Sequence, residues 1–104
     1  MELKTISLPK LNNLSPTLES TALKLMEEAG ELAQAIVKFR GMNCESPAYS
    51  REEVLDMTVR ELLDVAQTAV SMMFVLEDQY GIDTGEEVKR HIEKLVAKGY
   101  IRQE

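Results

Sequence analysis

Apolar residues recur along most of the chain with the period of an α-helix. From Leu18 to Phe39 they fall at Leu18, Ala22, Leu25, Ala29, Leu32, Ile36 and Phe39, alternating steps of four and three. That alternation is a single helical stripe. Ser15-Pro16 reads as an N-cap followed by proline at the first helical position. The helix then runs to Arg40, with Gly41 as its stop. The segment from Gly41 to Tyr49 carries Asn43, Ser46 and Pro47 and reads as a loop.

A second helix opens at Ser50, which forms a capping-box pattern with Glu53. Its main stripe is Leu55, Val59, Leu62, Ala66, Val70 and Met73, and Gly81 stops it after Tyr80. Another capping-box pattern, Thr58 with Glu61, marks a place near Met57 where the helix could break. Met57, Val65, Thr68, Met72 and Val75 lie on the opposite side, so the C-terminal half is apolar nearly all round. A helix of that kind is buried in a core or in a subunit interface. Thr84 with Glu87 predicts the start of a third helix, with Val88, Ile92, Leu95 and Val96 as its apolar positions and Gly99 as its end. No strand pattern competes and no internal repeat is present. The predicted architecture is all-α: an antiparallel helix bundle of two long helices and a shorter C-terminal helix, completed by oligomerisation. Residues 1–14 are expected as an irregular N-terminal segment of a single domain spanning 1–104.

Composition narrows the function. The chain has 104 residues, 18 acidic against 12 basic, for a net charge of −6. Nucleic acid and anionic lipid both call for basic patches, so neither is an expected partner. No apolar run reaches the roughly 20 residues of a membrane span, and Met1 to Lys10 lacks the apolar core of a signal peptide. A cytoplasmic location is the expectation. The one cysteine, Cys44, excludes an internal disulfide and a cysteine metal cluster.

The acidic residues carry the candidate chemistry. Glu27, Glu28 and Glu31 lie in the first long helix, Glu61 and Asp64 in the second. Residues three apart on a helix share a face. Glu31 stands ten residues before Gly41, and Glu61 eleven after Ser50; Glu28 and Asp64 stand thirteen and fourteen residues out. In an antiparallel hairpin Glu31 meets Glu61 at one level and Glu28 meets Asp64 at the next. Four carboxylates so close would repel one another and raise their pKa values. A hard cation such as Mg²⁺, completed by water and substrate phosphates, resolves that repulsion. Glu53 and Asp56 have the same spacing, but a regular hairpin places them roughly 10 Å from the level of Glu28 and Glu31. Taken by spacing alone, such pairs are also the ordinary dress of a solvated helix face.

The run Glu27-Glu28-Ala29-Gly30-Glu31-Leu32, followed by Glu61-Leu62-Leu63-Asp64-Val65, resembles the MazG-like nucleotide pyrophosphohydrolases, whose pattern is a Glu-Glu-x-x-Glu helix followed by a Glu-x-x-Asp helix. The resemblance covers roughly residues 18–100, and the stretch from Leu32 to Arg60 is long for the family. It implies hydrolysis of a nucleoside triphosphate to a monophosphate and pyrophosphate, dependent on Mg²⁺ or on Mn²⁺ in its place, with clearing of the nucleotide pool as the role it suggests. Glu28, Glu31, Glu61 and Asp64 would be the metal ligands. Glu27 would orient or deprotonate the attacking water, or else is a solvated surface residue. Lys38, two turns beyond Glu31, and Lys94 and Lys98 on the third helix are the candidate phosphate contacts, against the alternative of solvated lysines. Two other readings stay open: a non-catalytic nucleotide-binding or assembly module with the same fold, and an enzyme like the phosphoribosyl-ATP pyrophosphohydrolases. The apolar second helix further predicts a homodimer or tetramer.

Overall fold

The computed structural model describes residues 1–39 and 49–102. Three helices follow one another: α1 (Leu18–Phe39), α2 (Arg51–Tyr80) and α3 (Thr84–Ala97). No strand occurs among the described residues, and the chain is all-α as predicted. The expected stop at Gly41, the loop that follows it, Cys44 and the side chain of Phe39 lie outside the described residues.

The helix ends differ from expectation in two of three starts. At α1 the cap is Thr17, not Ser15: Thr17 Oγ1 accepts from the Ser20 N–H at 3.0 Å, and Ser20 Oγ accepts from the Thr17 N–H at 2.9 Å. This reciprocal pair does the work of a capping box with a serine in the place of the usual glutamate. At α2 the predicted box is present, with Ser50 and Glu53 exchanging side-chain-to-backbone bonds of 3.2 Å. At α3 the cap is Asp83, which accepts from the Glu86 N–H at 3.1 Å. Thr84 instead donates its hydroxyl to Glu77 at the end of α2. An ionised carboxylate is the stronger acceptor for an exposed backbone N–H, and Asp83 stands one residue earlier. The helix α2 does not break near Met57. Thr58 donates its hydroxyl back to the Val54 carbonyl at 2.8 Å and stays inside the helix. Gly81 closes α2 in the left-handed conformation, φ 67°, and the Ile82 N–H reaches back to the Leu76 carbonyl.

The helix α1 packs along α2, and their ends meet in order. Pro16, just before α1, accepts from Gln79 near the end of α2. Lys38, near the end of α1, lies over the ring of Tyr49, just before α2. The face that α1 buries is Leu18, Thr21, Leu25, Glu28, Leu32 and Ala35. Leu18, Leu25 and Leu32 of the predicted stripe belong to it and Ala22 is half-buried beside them, whereas Ala29 and Ile36 are exposed. In α2 the buried positions are Val54, Thr68, Ser71 and Val75. The more apolar stripe points outward, with Leu55, Val59, Leu62 and Met73 all more than 40% exposed. The helix α3 buries no residue.

The interior is correspondingly thin. Among the described residues the buried apolar side chains are Ala35, Val54 and Val75. The radius of gyration is 17.0 Å, against about 13 Å for a compact chain of this length. The accessible surface is 8474 Å², against about 5,900 Å² for a folded monomer of this mass.

Candidate metal centre

The long helices bring three of the predicted carboxylates together. Glu28, Glu31 and Glu61 each offer an oxygen within 4.8 Å of the others. Glu28 is 6% exposed, Glu61 half-buried and Glu31 exposed. The convergence follows from geometry: Glu28 and Glu31 share a face of α1, and α2 presents Glu61 opposite them. Asp64, one turn beyond Glu61, is exposed and is not part of the three-oxygen cluster. It lines a cleft of about 440 Å³ together with Glu28, Lys24, Thr21 and Thr68.

Electrostatics mark the cluster as incomplete by itself. The charge of Glu28, with desolvation and then Glu61, holds the Glu31 carboxyl above its ordinary pKa. One oxygen of Glu28 accepts from Lys24 at 3.0 Å. Its other oxygen, and Oε2 of Glu61, are buried with no hydrogen-bond partner. A buried carboxylate oxygen with no donor is costly. Two such atoms beside a third carboxylate form a hard, anionic oxygen donor set, which fits a divalent cation of the Mg²⁺ type.

The remaining predicted residues take other places. Glu27 is exposed and pairs with Lys24 at 3.6 Å. Lys38 lies 5.4 Å from the Tyr49 ring centre, and Lys98 5.9 Å from that of Tyr100. Lys94 is exposed near the end of α3. None of these three lysines lines the cleft. Glu53 is committed to its capping box, and Asp56 pairs with Arg60 one turn on.

Sequence reasoning missed Lys24. It lies four residues before Glu28, so the helical neighbour rule points to it. Hydrogen bonding to Glu28, then the charges of Glu27 and Glu28, raise its pKa. Also missed were Gln67, Ser71 and the N-terminal residues Leu11, Leu14 and Pro16, which line the cleft as well. No periodic signal exists in the N-terminal segment to place it.

Residues 16–99 match the family model of the MazG nucleotide pyrophosphohydrolase domain. The chain therefore belongs to the MazG nucleotide pyrophosphohydrolase family, as its paired motifs implied. No curated protein and no solved structure gives a significant match. Members of this family act on nucleotides and typically use a divalent metal. No helix of the described residues is long and apolar enough to cross a membrane.

Proposed function

We propose that this chain is a Mg²⁺-dependent nucleoside triphosphate pyrophosphohydrolase, a cytoplasmic single-domain enzyme that cleaves the α–β phosphoanhydride to leave a monophosphate and pyrophosphate. The observation that carries the reading is the meeting of Glu28, Glu31 and Glu61, with one buried oxygen of Glu28 and one of Glu61 lacking any donor. Those three residues would hold the ion, Mg²⁺ or Mn²⁺, and Asp64 would supply a fourth carboxylate from the next turn of α2. A bound ion of this kind offsets phosphate charge and lowers the pKa of water.

The protein's own groups do the rest by position. Phosphoryl transfer asks mainly for alignment and charge stabilisation. Lys24 lines the cleft beside Glu28. It neutralises that carboxylate and offers a cation to a phosphate arriving there. Glu27, adjacent to Glu28 and open to solvent, serves as base for the attacking water. The two end contacts, Gln79 to Pro16 and Lys38 over Tyr49, support an antiparallel pairing of α1 and α2.

The outward stripe of α2 supports a homodimer or a tetramer of paired dimers. A second copy would cover Leu55, Val59, Leu62 and Met73 and bring basic side chains such as Lys94 and Lys98 to its partner's carboxylates. Lys38, at the end of α1, would contact the phosphates from the same chain. The test is incubation with Mg²⁺ and a panel of ribo- and deoxyribonucleoside triphosphates, with the products resolved. Monophosphate and pyrophosphate are expected. Orthophosphate alone, or full turnover in excess EDTA, overturns the reading.

A further inference from the structure

We propose that Leu11, Leu14, Ser15 and Pro16, with Gln67 and Ser71 of α2, form a pocket for the nucleobase and sugar of a nucleotide whose phosphates lie at the acidic end of the same cleft. The inference rests on the nucleotide site proposed above and extends it to Leu11, Leu14 and Ser15, which precede the family match at residues 16–99.

The segment 9–16 has no secondary structure, yet it is fastened to α2 at both ends. The Pro9 carbonyl accepts from Gln67 at 2.9 Å. Lys10 pairs with Asp78 and lies 5.7 Å from the Phe74 ring centre. The Pro16 carbonyl accepts from Gln79 at 3.3 Å. Such anchoring does not serve core formation, because Leu11 and Leu14 remain 37% and 65% exposed. They form a wall of the cleft instead.

Polarity changes from one part of the cleft lining to another. Lys24, Glu28 and Asp64 are ionic, and Leu11, Leu14 and Pro16 are apolar. A volume of about 440 Å³ is that of a small-ligand pocket. A nucleotide has the matching polarity, anionic at its phosphates and flat and weakly polar at its base.

The polar groups beside the apolar wall are suited to a base edge. The hydroxyls of Thr21 and Thr68 are committed to the backbone carbonyls of their own helices. Gln67 differs. The Pro9 carbonyl can only accept, so the Gln67 amide must present its NH₂ there, and that NH₂ also donates to Ser71 Oγ at 3.3 Å. Gln67 Oε1 is left as an acceptor and the Ser71 hydroxyl as a donor, on two residues that both line the cleft. The Watson–Crick edge of every nucleobase carries a donor next to an acceptor, so one donor and one acceptor can hold a base without choosing among bases.

The experiment measures calorimetric binding of the standard ribo- and deoxyribonucleoside 5′-monophosphates to the full chain, with Mg²⁺-pyrophosphate as the phosphate-only probe. Leu14→Ser and the double variant Leu11→Ser/Leu14→Ser alter exposed side chains; circular dichroism verifies that each is folded. At least one monophosphate should bind the wild type. The double variant should weaken that binding about ten-fold, while Mg²⁺-pyrophosphate binds both proteins alike. No monophosphate binding, equal binding to wild type and variants, or an equal loss of pyrophosphate binding overturns the pocket. Monophosphate binding that depends on Leu11 and Leu14 in a protein with no hydrolytic activity would uphold the pocket and remove the enzymatic reading. Hydrolysis with an unchanged KM in the double variant would do the reverse.

Discussion

Glu28 has one oxygen on Lys24 and the other on nothing, and it is the largest cause of the raised pKa of Glu31. Replacing it by glutamine removes a ligand charge while keeping the shape. Glu28→Gln should lose turnover, keep its helical signal, and no longer gain thermal stability from added Mg²⁺, read as Tm with and without the ion. Glu53→Gln is the companion: glutamine also serves in a capping box, so activity should stay close to wild type. The raised carboxyl of Glu31 sets a pH dependence with a definite sign. The folded chain holds that proton more tightly than the unfolded chain, so without metal the repulsion is absent below the ordinary glutamate value. It destabilises increasingly as pH rises through the raised one. Metal binding needs the proton gone, so Mn²⁺ affinity measured by titration should fall as pH drops from neutral into that window. An affinity flat across it would count against Glu31 as a ligand. The three converging glutamates were legible from register because α1 and α2 are both regular. Lys24 was legible too, but only to a reading that followed Glu28 back one turn.

At the scale of the helices, period located faces but not which face meets which. Both stripes of α2 are visible in the sequence, and the one with Thr68 and Val75 is buried within the chain, together with Val54 and Ser71, which neither stripe included. Glu28, Glu31 and Glu61 meet where α1 packs on α2, and the most apolar stripe of α2 points outward. The inward face of α1 also differs from the predicted stripe: Thr21 and Glu28 are buried there, and a hydrophobicity count passes over them. Caps were read well where a full box exists, at Ser50, and misplaced where a nearer side chain competes, as Asp83 does with Thr84. Gly81 provides the test at this scale. A Cβ there would meet nothing within 4 Å, so its positive φ is the whole of its requirement. Gly81→Ala should destabilise by about 1 kcal/mol through the left-handed backbone alone, measured as a lower denaturant midpoint with an unchanged slope.

For the whole molecule, surface and interior are out of proportion. The outward stripe of α2 and the large excess of accessible area call for a second copy to cover them, since a closed two-fold contact covers the same patch on both chains. Sedimentation equilibrium should give twice the chain mass or four times it. Leu62→Glu, which puts a charge at the centre of the outward stripe, should dissociate the assembly. A fully active monomer of 11.7 kDa would remove both the interface and any shared site. Val75, apolar but already buried within the chain, is no probe of that contact.

The thin interior also fixes when this protein becomes a protein. With so few apolar side chains enclosed, a lone chain recovers little of the conformational entropy lost in ordering its helices. In the proposed assembly, folding and association would be one reaction, of second order in chain. Melting temperature and refolding rate would rise with concentration by mass action, and activity per chain would fall on dilution before any ligand is removed.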